Sequence, residues 1–363
     1  MKFLFLKIKI LLNVILYTFF ILLILDFFLG KKILDYLDSY LVKTEFYEKR
    51  VRIPSKYFHH HLKPNLNYQM QGFNKKIKLC TNNYGFKSSC IKNREIKKFE
   101  YGFIGDSFTE GIGLNYEDTF VGIFEKNTNK HVANLGVTSY APKIYLSKIN
   151  YYLNQGIEFG HIVIFLDISD YYDEAYYILN KKKNIDHEKK SKIQIFFRKN
   201  FPFTNYYIYV LRSLKSNKKK EPVKNVINFN ISALKKTKWL NKNLNEKFEN
   251  NKTTLEIHNE IKKTLDEIYE LLKKNNIKFS LAIYPWPQNL TKNKNTKFYQ
   301  EEWKEFCLSR CDYFFNFFNF FEEELKKQNY LEVYKKYYFW NDIHFNESGN
   351  RLIANELLKK LPR

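Results

Sequence analysis

Short apolar runs alternate with helical patterns from Lys97 onward, and this alternation limits the possible folds more than any other feature. The runs lie at Phe99–Ile104, Val132–Leu135, His161–Leu166 and Phe279–Tyr284. Runs of this length, rich in β-branched and aromatic residues, are typical of buried strands. Strands that alternate with helices pair in parallel, and the helices cover the faces of the sheet. The pattern therefore predicts an α/β fold built on a parallel sheet.

The first predicted strand runs into Gly105-Asp106-Ser107, within the stretch YGFIGDSFTEGIG at residues 101–113. Gly105 permits a sharp turn, so Ser107 is expected where the strand gives way to a helix or loop. Ligands of open parallel sheets bind in the crevice outside the carboxyl ends of the strands. Ser107 is therefore a candidate nucleophile. The alternative is that Ser107 or Thr109 caps a helix, and this segment alone does not separate the two roles.

A histidine far downstream supplies what a nucleophilic serine needs. His344 lies two residues after Asp342, just before the last predicted helix. His344 could take the proton from Ser107 during attack and return it to the leaving group. Asp342 could hold the imidazole in the required tautomer. Asp-Ile-His alone is more often a capping or packing motif, but together with Gly-Asp-Ser it predicts a catalytic triad.

These short motifs resemble those of the SGNH, or GDSL-type, hydrolases. Residues 105–109 resemble the first block of that family, with Ser107 as nucleophile, and residues 134–136 resemble the second. Residues 342–344 resemble the last block, which supplies the acid and the base. The resemblance covers residues 97–363 except an insert, and it implies a three-layer, flavodoxin-like sheet with esterase activity. It also implies that Ser107 and the Gly136 N–H donate to the oxyanion. No cofactor or metal is expected.

Two positions depart from the family pattern. The third block usually ends in Asn-Asp, and its Asn donates to the oxyanion, but the matching residue here is Ser169, before Asp170. Loss of one such donor costs about 10²–10³ in rate, so Ser169, a water or backbone N–H groups must serve instead. The usual Asp lies three residues before the His, where this chain has Asn341. The spacing of Asp342 is similar to that of relatives that O-acetylate bacterial exopolysaccharides, which favours acyl transfer.

The amino terminus carries an apolar run long enough to cross a bilayer, at residues 10–29. Three lysines precede the run and two follow it, which favours a cytoplasmic amino terminus. No small-residue cleavage site follows, so an uncleaved anchor is predicted rather than a signal peptide. The alternative is a buried core helix. We expect residues 1–30 to form a single-pass anchor and the remaining chain to lie in the periplasm or elsewhere outside the cytoplasm.

The rest of the chain is predicted in two parts. Residues 31–96 are expected to form a juxtamembrane helix followed by an irregular extension, and residues 97–363 the hydrolase-like domain. An aromatic and lysine-rich insert at about 173–251 is predicted to form a helical cap or lid, with a membrane-surface helix as the alternative. A disulfide between Cys80 and Cys90 is expected. Cys307 and Cys311 are either packed thiols or a second bridge.

The net charge of +23, from 61 Lys and Arg against 38 Asp and Glu, does not indicate a nucleic-acid partner. The lysines are spread along the whole chain, and no zinc-finger, RNA-binding or P-loop pattern is present. The leading hypothesis is a membrane-anchored enzyme that cleaves or transfers an acyl group, acetyl in particular, on an acylated carbohydrate of the cell envelope or a small ester. The alternatives are a non-catalytic binding or assembly module and a lipid esterase.

Overall fold

The computed structural model describes most of the chain outside the insert. It describes residues 2–37, 51–73, 75–91, 96–180, 252–290 and 296–362, together with Phe196, Asn200, Phe201, Phe203 and Thr204. The chain divides into two compact units: Met1–Tyr47 with Ile185–Val226, and Glu48–Asn184 with Ile227–Arg363. The insert predicted at 173–251 therefore lies largely outside the described residues, as does the prediction that it forms a lid.

The first unit contains a long apolar helix, α1, at Lys2–Leu37. Its segment Lys9–Gly30 is long and apolar enough to cross a membrane, judged by length and composition. Asp26 interrupts this segment, and its carboxylate accepts hydrogen bonds from the N–H groups of Phe203 and Thr204 at 2.9 and 2.8 Å. A carboxylate on an apolar helix needs such partners because an unpaired buried charge is costly. The predicted juxtamembrane helix continues α1 as far as Leu37, and residues 38–50 lie outside the described ranges.

The second unit is built on a parallel five-stranded sheet. Its strands are β5 (Lys98–Ile104), β6 (Val132–Asn134), β7 (Glu158–Leu166), β8 (Lys278–Ile283) and β9 (Tyr313–Asn316). Their order across the sheet is β6-β5-β7-β8-β9. Four of the five coincide with the predicted apolar runs, which confirms the predicted α/β fold. The described helices of this unit, in chain order, are α2 (Ser107–Glu110), α3 (Phe120–Thr128), α4 (Pro142–Asn154), α5 (Ser169–Asn180), α6 (Thr254–Lys274), α7 (Lys297–Cys307), α8 (Phe318–Lys327), α9 (Tyr330–Tyr337) and α10 (Glu347–Lys360).

The edge strand β9 was not expected, because the sequence predicts one aromatic-rich helix over residues 298–327. The structure instead divides this region into α7, β9 and α8. β9 pairs in parallel with β8, with Ser280 opposite Tyr313. A run of aromatic residues suits a strand as well as a helix, and pairing with β8 decides between them. Cys307 and Cys311, for which bridge and packed thiols were both open, form a disulfide where α7 ends.

The irregular extension predicted within residues 31–96 is described at 51–73 and 75–91, and for these residues that prediction is wrong. It forms two antiparallel hairpins, β1 (Arg52–Ser55) with β2 (His59–Leu62) and β3 (Asn67–Gln71) with β4 (Lys76–Cys80). Strands of four or five residues are too short to show a clear alternation, so the sequence gives little signal. The expected Cys80–Cys90 disulfide is present. Lys87 forms an isolated antiparallel bridge with Asn134, which joins the extension to the edge strand β6.

His161 of β7 is buried in the middle of the sheet. Its Nε2 lies 2.8 Å from Ser280 Oγ, and the rings of Tyr101 and Tyr313 flank it. Burial lowers the pKa of His161 to about 4. The charge of Asp312 acts to raise this pKa, and the charge of Lys278 acts to lower it. His161 is therefore neutral in the folded protein at neutral pH.

This burial makes stability depend on pH. Between pH 6.5 and 4 the unfolded chain binds a proton at His161 and the folded chain does not, so the free energy of unfolding falls as the pH falls. The shift corresponds to about 2 kcal/mol lost between pH 7 and pH 4.5. Urea unfolding of the full-length chain in detergent at these two pH values should show a smaller loss for His161→Gln. His131→Gln, at an exposed position, should match the wild type. Equal losses for all three proteins would contradict the expectation.

Candidate active site

Ser107 is the first residue of α2, directly after the turn that ends β5. The helix is capped by Asp106, whose Oδ1 accepts a hydrogen bond from Phe108 N–H at 2.9 Å. Gly105 is required at the turn because a Cβ there would collide with Thr109 Oγ1. The alternative, in which Ser107 or Thr109 caps the helix, is therefore excluded. Asp106 has that role, and the Ser107 hydroxyl is available for other partners.

The structure brings Ser107, His344 and Asp342 together, although 237 residues separate the serine from the histidine. His344 Nε2 lies 2.8 Å from Ser107 Oγ, and His344 Nδ1 lies 2.5 Å from Asp342 Oδ1. The side chains of His344 and Asp342 are 15% and 18% exposed, and Ser107 is 7% exposed. With the proton of the neutral imidazole on Nδ1, donated to the carboxylate, Nε2 can accept the proton of the serine hydroxyl.

The loop that carries Asp342 is fixed by its own hydrogen bonds. Tyr334 OH donates to the carbonyl oxygen of Asp342 at 2.9 Å, and Asp342 N–H donates to Phe339 O at 3.1 Å. Asn341 adopts a left-handed backbone conformation with φ of 59°, which Asn tolerates better than most residues. This turn places the Asp342 side chain at His344 Nδ1.

Two aromatic side chains lie near the His344 imidazole. The Phe108 ring is centred 4.9 Å from the imidazole, and the Phe73 ring 6.3 Å from it. Phe73 follows β3 and also stacks on Phe339, with ring centroids 4.3 Å apart. The extension therefore contributes to the surroundings of the candidate histidine, which the sequence did not indicate.

The loop after β6 packs directly against α2. Gly136 N–H donates to Asn134 Oδ1 at 3.1 Å, and Asn134 Nδ2 donates to Thr109 O at 2.8 Å. A Cβ on Gly136 would meet Glu110 N at 2.7 Å, so only glycine permits this approach. The Ser107 N–H lies in the first turn of α2, where N–H groups have no partner within the helix. The two predicted backbone donors to an oxyanion thus belong to neighbouring segments.

Ser169 also lies beside the nucleophile. Its Oγ is 3.5 Å from Asp106 Oδ2, and Ser107 Oγ lies 3.2 Å from the same Asp106 oxygen. Ser169 N–H donates to Asp167 Oδ1 at 2.7 Å, which fixes the start of α5. The structure therefore brings the residue at the position of the usual Asn into the site, with its hydroxyl directed toward a carboxylate.

Three buried aspartates, Asp106, Asp167 and Asp170, form a hydrogen-bonded network with aromatic side chains near Ser107. Sequence reasoning did not predict this network. Tyr284 OH is within 3.2 Å of both Asp106 Oδ1 and Asp167 Oδ2, and Trp286 Nε1 donates to Asp167 Oδ2 at 2.6 Å. Asp170 accepts from Tyr145 OH at 2.8 Å. Burial raises the pKa of Asp170 well above its usual range, and the charges of Asp167 and Asp106 add to the effect. One feature of the sequence could have indicated this network: the predicted strands β5, β7 and β8 all end at the same edge of the sheet.

Trp286 is buried in the core. The histidines at positions 59–61 lie in β2 and pack against neighbouring rings and backbone: His60 Nε2, for example, lies 2.9 Å from Thr138 O. Within the described ranges, no group of three or more His, Cys, Asp or Glu side chains is arranged to hold a metal ion.

Comparisons with known proteins find similarity among solved structures. No protein-family model matches the chain, and no curated protein matches it. A member of the lipolytic protein G-D-S-L family from Veillonella parvula DSM 2008 is 13% identical, with a TM-score of 0.39 over 72% of this chain and 98% of its own. A putative lipolytic protein of the G-D-S-L family from Desulfitobacterium hafniense DCB-2 is 13% identical, with a TM-score of 0.36 over 73% and 99%. A GDSL-like lipase from Bacteroides thetaiotaomicron VPI-5482 is 12% identical, with a TM-score of 0.36 over 73% and 89%.

Proposed function

We propose that this chain is an SGNH-type serine hydrolase or acyltransferase that acts on esters. The observation that carries the proposal is the hydrogen-bonded series from Ser107 Oγ through His344 to Asp342, at 2.8 and 2.5 Å. The three residues lie at the carboxyl-end edge of a parallel sheet, where such folds bind ligands. The motifs around Ser107, Gly136 and His344 occur in the same order as in the SGNH hydrolases.

The geometry supports a two-step reaction. Ser107 Oγ attacks the ester carbonyl carbon while its proton moves to His344 Nε2, and Asp342 stabilises the imidazolium that forms. The tetrahedral intermediate collapses, and the alcohol leaves with the proton from His344. Water or a sugar hydroxyl then attacks the acyl-Ser107 ester and gives its proton to His344. Water yields a free acid, whereas a sugar hydroxyl yields a new ester, and Ser107 is regenerated in both cases.

The oxyanion of the intermediate requires donors near Ser107. We assign this role to the N–H groups of Ser107 and Gly136, with the Ser169 hydroxyl in place of the usual Asn. Gly136 N–H would share its hydrogen bond with Asn134 Oδ1, and Ser169 Oγ would turn from Asp106 toward the substrate. Each such donor is worth about 10²–10³ in rate in related chemistry.

The proposed substrate is an acetyl ester on a cell-envelope glycan. A candidate membrane span precedes the second unit, and the Cys80–Cys90 and Cys307–Cys311 disulfides are typical of compartments outside the cytoplasm. We therefore place the amino terminus in the cytoplasm and the candidate site outside it. The acetyl group and the glycan follow from this compartment and from the spacing of Asp342 and His344.

A second candidate function is a binding or assembly module without catalysis. The specific observation in its favour is that both Gly136 N–H and the Ser169 hydroxyl already have acceptors within the protein. If these hydrogen bonds persist when an ester binds, the oxyanion lacks two of its three donors and turnover is lost.

The test is acyl transfer by the full-length chain in detergent. We expect kcat/KM for p-nitrophenyl esters to be highest with acetate and to fall with chain length, and we expect labelled acetyl to appear on an oligosaccharide acceptor. A preference for long chains would indicate a lipid esterase. Turnover equal to that of Ser107→Ala on every ester and acceptor would overturn the enzymatic proposal and favour the binding module.

A further inference from the structure

We infer that Arg52 and Glu110 form a positioning pair that holds the Gly136 loop against the nucleophile helix, so that the oxyanion donors are correctly placed. This inference rests on the proposed function. Arg52 belongs to the hairpin extension, outside the region that resembles the SGNH hydrolases. Glu110 is the last residue of α2, three residues after Ser107. Neither residue was identified from the sequence.

The pair is buried and in close contact. Arg52 Nη2 lies 2.7 Å from Glu110 Oε1 and 2.6 Å from Glu110 Oε2. The two side chains are 7% and 3% exposed. Burial would raise the pKa of Glu110, but the charge and hydrogen bonds of Arg52 and the Thr138 N–H bond outweigh it, and the pKa lies below its usual value. Glu110 is therefore a carboxylate at neutral pH.

Both members of the pair also bind Thr138, which lies two residues after Gly136. Thr138 N–H donates to Glu110 Oε2 at 2.8 Å, and Arg52 Nη2 donates to Thr138 Oγ1 at 2.8 Å. Thr138 Oγ1 in turn donates to Glu110 Oε2 at 3.1 Å. Three segments distant in sequence, namely β1, α2 and the loop after β6, thus meet at one carboxylate.

A second cation from the extension supports the same region. The buried Lys87 ammonium donates to Gly111 O and Leu114 O, both at 2.7 Å, and so fixes the turn that ends α2. The extension therefore provides two charged side chains that act on the residues just after Ser107. This arrangement suits a role in positioning the site, because both cations bind α2 or the loop beside it.

Burial of an ion pair is by itself weak evidence for stabilisation, since desolvation offsets most of the attraction. The effect of the ion pair on the geometry of the site is larger than its effect on stability. Gly136 and Ser107 must both direct N–H groups at one oxygen, and a displacement of about 1 Å can cost about 10²-fold in rate. Without Arg52, the buried Glu110 carboxylate keeps only the Thr138 donors and the charge of Lys87, so we expect its hold on the loop to weaken.

The test compares four full-length proteins in detergent: wild type, Arg52→Met, Arg52→Met/Glu110→Gln and Arg310→Met. Arg310 pairs with Asp266 at 2.5 Å, just before the opposite edge strand β9, and is the matched control for loss of an arginine. The double variant removes both members of the pair, so neither Arg52 nor Glu110 is left buried without the other. The measurements are kcat and KM on an acetyl ester, the thermal midpoint, and hydrogen–deuterium exchange of residues 134–140.

We expect Arg52→Met to lower kcat by about 10- to 100-fold with KM changed less than about threefold, and to accelerate exchange of residues 134–140. The double variant should regain thermal stability but not kcat. Arg310→Met should keep the kcat and the loop exchange of the wild type. A wild-type kcat in the double variant overturns the inference. Exchange of residues 134–140 in Arg52→Met at the wild-type rate also overturns it. If the wild type shows no Ser107-dependent turnover, the proposed function is wrong, and the exchange data alone then decide whether the pair holds the loop.

Discussion

Ser107→Ala is expected to reduce ester turnover by about 10⁴- to 10⁶-fold, to the rate that binding and oxyanion donors alone provide. The variant removes the oxygen that His344 Nε2 contacts at 2.8 Å and leaves the buried surroundings of α2 intact. The folded state should therefore be retained. The measurement is kcat on an acetyl ester, together with covalent labelling by a fluorophosphonate probe, which should disappear.

Ser147→Ala is the matched control for this experiment. Ser147 lies in α4, and its hydroxyl donates to Lys143 O at 2.9 Å, within the same helix. Loss of that hydroxyl should leave both kcat and labelling at wild-type levels. Ester turnover that persists in Ser107→Ala at more than about one tenth of the wild-type rate would show that another group performs the chemistry.

Asp342→Asn is expected to lower kcat by about 10⁴-fold, because an amide in this position favours the wrong tautomer of the histidine. Asp342 Oδ1 accepts from His344 Nδ1 at 2.5 Å, so Nε2 is left to accept the serine proton. The Asn side chain has the same shape and could donate to Nδ1, which would put the imidazole proton on Nε2. KM should change little, because the substrate does not contact this residue in the proposed mechanism.

Asn341 provides the control and a sharper test of the unusual spacing. Asn341→Gly should keep wild-type kcat, because glycine accepts the backbone conformation with φ of 59°. Adding Asn341→Asp to Asp342→Asn should not restore activity, since the turn places residue 342 at His344 Nδ1. Restored activity in that double variant would show that residue 341 can replace Asp342, contrary to the geometry of the resting site.

The sequence predicted the elements with a strong local signal. β5, β7 and β8 are short apolar runs, and α6 repeats apolar residues at helical spacing, so burial and periodicity identify them without knowledge of their partners. The turn at Gly105 and the pair Asp342 and His344 were also recognisable, because each is a compact motif. The roles of Ser107, Asp342 and His344 remain a proposal, but their meeting in space agrees with that reading.

The elements that sequence reasoning missed depend on partners distant in the chain. β9 is a strand because β8 pairs with it, and the hairpins of the extension are too short to show a period. Asp106 caps α2, a role that the sequence offered to Ser107 or Thr109 only as an alternative, and the backbone turn decides which of these polar residues takes it. Each of these outcomes is decided by geometry that no short window of sequence contains.

The sequence by itself thus determined the α/β class, most of the parallel strands and the pairing of a serine motif with a distant histidine motif. Only the tertiary structure decided that Arg52 of the extension meets Glu110 beside the nucleophile, 58 residues away. The physical reason is that hydrophobic periodicity is local and repeats along the chain. A buried ion pair is a single long-range contact. In the sequence, Arg52 and Glu110 cannot be told apart from charged residues on the surface.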